Sequence, residues 1–556
     1  MTPPMIYGLT GIALFCLSLY ALIVEKHLLR KILAINLMGS GVFLVLTALA
    51  RHHTPVPDPV PHAMVITGIV VEMISNVPWA VMLILLPLTG GMGAFLWPRR
   101  SVPIGLTAVF GAAAAAAGLA YVVAQRGAYH HPVGGWGAPL GIDLYADALS
   151  LAMLIMTALV ALGISVYSTR YFDEENAGRF WPLWLLTLAG LNALFLSADV
   201  FNFYVTLELI GLGAVALTAL AGRADALVGA TRYLLAALLG SMTYLLGVAF
   251  LYHGFGGVDL FLLAKHTEPS PFAWAALGLI GTGLMLKTAL FPLHFWLPSA
   301  HSSAAAPVSA LLSALVIKAA FYILFRIGLV VFGGFELETV LVLISVLGAA
   351  AVLWGSVAAL LQRRLKLMIA YSTIAQVGYL FLALGFALGH HAAAFQATVY
   401  LALSHAFAKS AMFLVAGNLI RFDGHDSIKE LKQIVLHLPV SATAFALAGV
   451  SIIGLPPSGG FVGKWLLLEA ALAQGQWAVA VVVIAGSLLA AAYVFKVLGF
   501  TFTRTPIAQA PRRLPPAMEW SALFLAFAAL LMGLIPSALP AFIETAAPFY
   551  GPGALP

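Results

Sequence analysis

The chain has 556 residues, of which 62% are hydrophobic and only 9% charged, and its mean hydropathy is +1.02. Soluble domains carry about 25% charged residues, so this composition excludes a soluble globular class and points to a chain that lives in a bilayer. The net charge of +6 comes from basic residues set between apolar stretches, a mark of membrane topology and not of nucleic-acid binding, and the single cysteine, Cys16, excludes an intrachain disulfide or a cysteine-ligated iron–sulfur cluster.

Apolar runs of spanning length recur from one end to the other. In chain order they are 5–24, 32–50, 62–76, 79–97, 103–124, 147–168, 181–197, 200–221, 229–253, 272–297, 305–331, 338–360, 367–389, 393–419, 437–472, 477–500 and 518–540. The first run has no basic segment before it and is followed by EKHLLRK (25–31), so it reads as a transmembrane helix with its N-terminus outside and not as a cleaved signal peptide. Basic clusters at Arg99/Arg100, Arg223/Arg232, Arg363/Arg364/Lys366, Lys429/Lys432 and Arg504/Arg512/Arg513 fall on alternate loops, which the positive-inside rule assigns to the cytoplasm. The Gly- and Pro-rich loop 125–146 and the C-terminus then lie outside. Two crossings need about 40 residues, and 62–97 supplies only 36, so it is read as one crossing interrupted near Ser75-Asn76-Pro78. The total expected is about 16 crossings of an all-α polytopic membrane protein.

An ionised group in mid-membrane costs about 2.5–3.5 kcal/mol on insertion scales, so each one calls for a reason. The spans hold Glu72, Glu208 (FYVTLELIGL), Lys287 (LMLKTAL), Lys318 (ALVIKAAF), His405 and Lys409 (LSHAFAKSAMF) and Lys464 (GGFVGKWLLL). His405 and Lys409 are four apart and share a helix face. Cations outnumber anions in this group, so internal pairing cannot neutralise it. Pro292 follows Lys287, and the break Pro456/Pro457/Gly459/Gly460 precedes Lys464. Prolines remove N–H donors, so freed carbonyls and water near each break are expected to solvate the neighbouring ammonium. The two broken segments run in opposite directions by the alternation above, as in an inverted repeat. Lys287 beside Glu208 favours the ammonium, and separating the pair would release its proton, with His294, His301 and His405 as relays. The pairs His52/His53, His130/His131 and His390/His391 lie in loops without carboxylate or thiolate company and are not expected to bind metal. No GxGxxG in a βαβ unit, P-loop or cysteine cluster appears, so no cofactor is expected.

From about 79 to 540 the chain resembles the antiporter-like subunits shared by Mrp cation/proton antiporters, respiratory complex I and membrane-bound hydrogenases. The stretches that carry this are SADVFNFYVTLELIGLGA, LKTALFPLHFWLPSAHSSAAAPVSALLSALVIKAAFY, AYSTIAQVGYL, LSHAFAKSAMFLVAG and LPPSGGFVGKWLL. Lysine at Lys464, where some relatives carry glutamate, is most similar to the D-type member of the Mrp antiporters. Residues 1–76 resemble the C-type member of Mrp and its K-type relative in complex I, through GIALFCLSLYALIVEKHLLRKILAINLMGSGVFLVL and DPVPHAMVITGIVV. Asn36 stands where the K-type chain typically has a glutamate, while Glu72 resembles the glutamate of its third helix.

The resemblance implies a 14-helix fold with two discontinuous helices and inverted repeats over 77–556, joined to C/K-like helices over 1–76. It implies Glu208 and Lys287 as the central pair, and Lys318, Lys409 and Lys464 as a hydrophilic axis, in a bacterial inner membrane. Partners would be other membrane subunits, and the cargo protons and, in an antiporter, sodium. Three functions compete: a subunit of a sodium/proton antiporter, the pump module of a redox-driven complex, and a proton-coupled module for another substrate such as inorganic carbon.

Overall fold

The computed structural model describes residues 78–389, 391–431, 434–503 and 514–534, with isolated positions between 10 and 17. The runs 32–50 and 62–76, most of 5–24, and with them Glu72, lie outside the described residues, as do Arg504, Arg512 and Arg513. In hydrocarbon no water can satisfy a bare N–H or C=O, and an apolar chain answers with helices. They are α1 (Trp79–Leu96), α2 (Ser101–Arg126), α3 (Ala148–Tyr171), α4 (Glu174–Leu196), α5 (Val200–Ala219), α6 (Ala224–Phe255), α7 (Pro271–Lys287) and α8 (Leu297–Ser303). There follow α9 (Ala306–Val330), α10 (Glu338–Leu361), α11 (Leu365–Leu388), α12 (Ala392–Asp423), α13 (Pro439–Ile453), α14 (Gly459–Ala473), α15 (Trp477–Thr501) and α16 (Pro516–Leu534). Among the described residues twelve helices are long and apolar enough to cross a membrane; α7–α8 and α13–α14 are two interrupted segments, giving fourteen in all. The polytopic helical class read from composition is what the chain adopts. Of the stretch 62–97, residues 62–77 lie outside the described residues, and α1 is 18 residues long and apolar enough to cross by itself.

Helix starts follow local chemistry. Asp147, Asp173 and Asp199 each accept the N–H three residues on, at the heads of α3, α4 and α5, a cap worth about 1 kcal/mol. One end of the bundle is closed by a hairpin, β1 (Tyr129–Pro132) against β2 (Asp143–Ala146), antiparallel with His130 opposite Tyr145. Single bridges then tie Leu144 to Ser197 and Asp199 to Asp259. This pairing corrects one expectation: His130 does have carboxylate company, its Nε2 lying 3.0 Å from Asp143 Oδ2, because the strand register folds a 13-residue separation onto itself. No group of three or more potential metal ligands forms among the described residues.

The apolar windows of α9 and α12 are buried throughout, while α1, α10, α15 and α16 leave most of theirs outward. Those two central helices carry Lys318, His405 and Lys409. Both breaks contain the prolines that the sequence named, Pro292 between α7 and α8 and Pro456/Pro457 between α13 and α14, but each preceding helix stops short of them. Helix α7 stops at Lys287 itself, ahead of Pro292, because Ala289 takes a left-handed φ of 56° and ends the ladder first. Helix α13 stops at Ile453, where Gly454 takes φ 86°. The single run 437–472 is therefore two helices.

Candidate functional site

Lys287 ends α7 and reaches α5, where its Nζ stands 3.6 Å from Glu208 Oε1. That is ion-pair contact but too long for a hydrogen bond, and Oε1 has no hydrogen-bond partner among the described residues. Helices α6 and α7 cross closely here: a Cβ at Gly240 would lie 2.9 Å from both Lys287 Cγ and the Gly283 carbonyl. The carbonyls of the last turn of α7 are already taken. Leu284 O, Met285 O and Leu286 O accept the backbone N–H groups of Thr288, Leu290 and Ala289, and Leu286 O also the Trp296 indole at 3.0 Å. The expectation that freed carbonyls solvate Lys287 is thus not met; its partner is the carboxylate.

Lys318 sits just past Leu312–Val316, a π-helical stretch inside α9. Its Nζ donates to Ser313 O at 2.6 Å and meets His405 Nδ1 at 2.8 Å. The wider π turn is what leaves that carbonyl within reach. Lys409, one turn on from His405 along α12, points instead to α11, where its Nζ meets Ile369 O at 3.1 Å and the Ser372 hydroxyl. Gln376, one turn beyond Ser372, donates to Ile452 O at 3.3 Å. The same carbonyl accepts Lys464 Nζ at 3.0 Å. Ile453 O at 3.0 Å and Ser487 Oγ at 3.1 Å complete the set around Lys464, and the Tyr379 ring centroid lies 4.3 Å away. At this break the freed carbonyls do solvate the ammonium. Their usual helical donors, four residues on, would be Pro456 and Pro457, which have no N–H to give.

Lys318, His405, Lys409, Ser372, Gln376 and Lys464 thus form a row linked by contacts or single helical turns. Of the four lysines only Lys287 has a carboxylate at ion-pair distance among the described residues. His301 is fully buried near Lys366, Lys318 and Lys409, packed edge-on to Phe413 with centroids 5.7 Å apart, and neither ring nitrogen has a hydrogen-bond partner among the described residues. His294 is half-buried and stacks on Phe291, apart from the row.

Several members of the site escape a reading of the sequence. Gln376 and Ser372 lie in AYSTIAQVGYL at i, i+4 spacing, a polar face on an apolar helix that is a usable signal. Lys366, taken as a loop charge, is buried in the first turn of α11 and donates to Ala304 O, while Arg223 donates to Ser303 O at 3.1 Å. Arg326 is hidden in the run FYILFRIGL. It is buried and clamped to Asp147 by both guanidinium arms, with Nη2 2.7 Å from Oδ1, 2.9 Å from Ser150 Oγ and 3.0 Å from Tyr322 Oη.

Outside the membrane-spanning segments, the end of the bundle under the hairpin gathers Asp143, Asp199 and Asp259. Burial, opposed by the capping N–H bonds but aided by the other two carboxylates, pushes Asp199 up to about 6. Asp259 is raised as well, first by burial.

The family model for "NADH:quinone oxidoreductase/Mrp antiporter, TM" matches residues 197–490, more than half the chain, and that for "NADH-ubiquinone/plastoquinone oxidoreductase chain 4L" matches 6–89. The chain is 36% identical to NADH-quinone oxidoreductase subunit N of Desulforudis audaxviator over 80% of its own length and 90% of that protein's. It is 30% identical to the D-type subunit of the Na(+)/H(+) antiporter of Bacillus subtilis, over 73% and 83% of the two chains. Its fold is similar to a chain in the structure of the Mrp complex from Dietzia sp. DQ12-45-1b, with a TM-score of 0.80, 25% identity, and coverage of 86% of this chain and 99% of that one.

Proposed function

Because the chain belongs to the NADH:quinone oxidoreductase/Mrp antiporter family, we propose that it is the proton-translocating subunit of a multisubunit Mrp-type sodium/proton antiporter in a bacterial plasma membrane. Residues 77–556 form the translocating domain in this reading, and 1–76 a C/K-like module, including Glu72. The observation that carries it is the row of buried Lys318, Lys409 and Lys464, linked through His405, Ser372 and Gln376 and holding no carboxylate among the described residues, together with the separate Lys287–Glu208 ion pair. A lone structural ion pair needs no such row.

The row offers a stepwise route for protons in this reading. Lys287 is held as an ammonium by Glu208 alone, across 3.6 Å. Moving that carboxylate away leaves a buried charge without its counter-ion, which favours release of the proton. Lys318 and His405 share one contact, so a proton arriving on either is passed by a change of tautomer. Lys409, Ser372 and Gln376 carry the connection to Lys464. A charge moved through 100 mV gains about 2.3 kcal/mol, enough to couple the exchange to the membrane potential.

Likeness to the Bacillus subtilis antiporter chain and to the Dietzia Mrp chain supports the antiporter reading. The 36% identity to a protein named NADH-quinone oxidoreductase subunit N favours a second one, the pump module of a redox-driven assembly. Both readings place other membrane subunits beside this chain. The assay that separates them uses inverted vesicles containing the native complex. Sodium added to an imposed pH gradient should dissipate it in the antiporter reading, with no electron donor present. Proton movement that follows only electron-donor oxidation would establish the second reading instead.

A further inference from the structure

Lys464 is held differently from the other lysines. An ammonium has three N–H donors and a neutral amine two. Three oxygens meet Lys464 Nζ: Ile452 O and Ile453 O at 3.0 Å and Ser487 Oγ at 3.1 Å, with the Tyr379 ring face 4.3 Å away. Lys318 and Lys409 meet two acceptors each, and Lys287 a carboxylate at 3.6 Å. The cradle around Lys464 is built by the chain and not by the lysine. Ile452 and Ile453 close α13, where the helix dipole gathers negative charge, and Pro456 and Pro457 remove the N–H groups that would otherwise take their carbonyls. Gly454, at φ 86°, makes room for the lysine stem; a Cβ there would stand 2.7 Å from Lys464 Cδ.

Every group in the cradle is neutral. It compensates one positive charge with dipoles, carbonyl lone pairs and an aromatic face, and it holds no carboxylate to balance a second. Half-helix C-termini with unsatisfied carbonyls coordinate alkali cations elsewhere in membrane transport. We infer that the oxygen cradle formed by Ile452, Ile453 and Ser487 is a monovalent alkali-cation site, filled here by the Lys464 ammonium, and that sodium or potassium takes its place when the lysine withdraws. A +1 ion replaces a +1 ammonium, so the exchange leaves the local charge unchanged. At the Lys287 break the carbonyls of Leu284, Met285 and Leu286 are spent on backbone N–H groups and the Trp296 indole. The inference goes beyond the proposed function by giving the alkali cation a place in this chain, and equilibrium binding tests it whether the assembly is driven by a cation gradient or by electrons.

The test is equilibrium binding of radioactive sodium to the purified native complex in lipid nanodiscs, displaced by NaCl, KCl or choline chloride. One-for-one competition with a lysine proton predicts that wild-type affinity rises about tenfold per pH unit while Lys464 holds its proton. In Lys464→Met the affinity at pH 7 should rise at least tenfold and lose that pH dependence. Ser487→Ala should weaken binding about tenfold in either background, and NaCl or KCl but not choline should displace the label, the more potent of the two naming the preferred ion. Wild-type binding without pH dependence, equal displacement by choline, or indifference to Ser487→Ala overturns the inference. If Lys464→Met does not assemble, the wild-type pH series and Ser487→Ala decide it alone.

Discussion

Among the described residues Glu208 is the carboxylate at ion-pair distance from Lys287, and its Oε1 makes no hydrogen bond, so each charge depends on the other. Lys287→Ala and Glu208→Gln should each lower ion exchange in vesicles by about tenfold or more, the loss that ~1.4 kcal/mol on a limiting step produces, with the complex still assembled. Glu208→Asp, which keeps the charge on a shorter stem, should retain part of the activity. Undiminished exchange by a well-expressed Lys287→Ala complex would remove the pair from the mechanism. A second residue-scale prediction concerns Asp199 under the hairpin. Folding holds its proton to about pH 6, whereas an unfolded chain releases it near pH 4. The folded state binds the proton more tightly, so Asp199 lowers stability as pH rises from about 4 to about 6, and the loss is complete above that. Asp199→Asn keeps the helix cap and should flatten this part of the curve, raising the apparent melting temperature relative to wild type at pH 7.5 but not at pH 4. Equal offsets at both values would show that Asp199 does not titrate there.

Helix packing sets where these side chains can go. Gly240 lets α6 lie against α7 so closely that the Lys287 stem passes over it. Gly240→Val puts methyl groups into that space, and overpacking of this kind costs about 1–3 kcal/mol. It should lower the melting temperature and also reduce exchange, because the displaced atoms belong to Lys287. On α14 a Cβ at Gly463 would come 2.8 Å from Leu401 Cγ on α12. The clamp between Arg326 on α9 and Asp147 at the head of α3 works at the same scale. Both groups are buried, so removing one strands the other, at about 3–5 kcal/mol. Arg326→Met should destabilise strongly, and Asp147→Asn combined with it should recover much of the loss, measured as thermal unfolding in detergent. A double variant no better than the single one would mean that the pair does not couple α3 to α9.

For the whole molecule the decisive quantities are orientation and company. The hairpin end and the basic end of the bundle must face opposite solutions. With Cys16→Ser as background, Leu140→Cys, exposed beside the hairpin, should react with an impermeant maleimide in intact cells. Trp97→Cys, exposed next to Arg99 and Arg100, should react only after permeabilisation. The reverse pattern would invert the topology. Six of the described helices, α1, α2, α6, α10, α15 and α16, leave most of their apolar stretch unburied, which suits lipid or neighbouring subunits equally. The purified single chain in liposomes should not exchange ions, since the assembly is proposed to work only with its partners; robust exchange by the chain alone would count against that.

Composition by itself determined that this is a helical membrane protein, and the positions of Lys287, Lys318, Lys409 and Lys464 were legible because an ionised residue in an apolar run is a local anomaly. The two breaks were legible for the same reason, since Pro and Gly act on their own turn of backbone. Tertiary structure alone decided which partner each charge takes. His405 and Lys409 share a face, yet one turns to Lys318 and the other to Ser372. Arg326 finds Asp147 across 179 residues, a pairing no periodicity records. The acceptors of Lys464 are hardest of all to read, because two of the three are backbone carbonyls. Every residue has one, and only the docking of α13 against α14, with two prolines withholding their N–H groups, makes these two available.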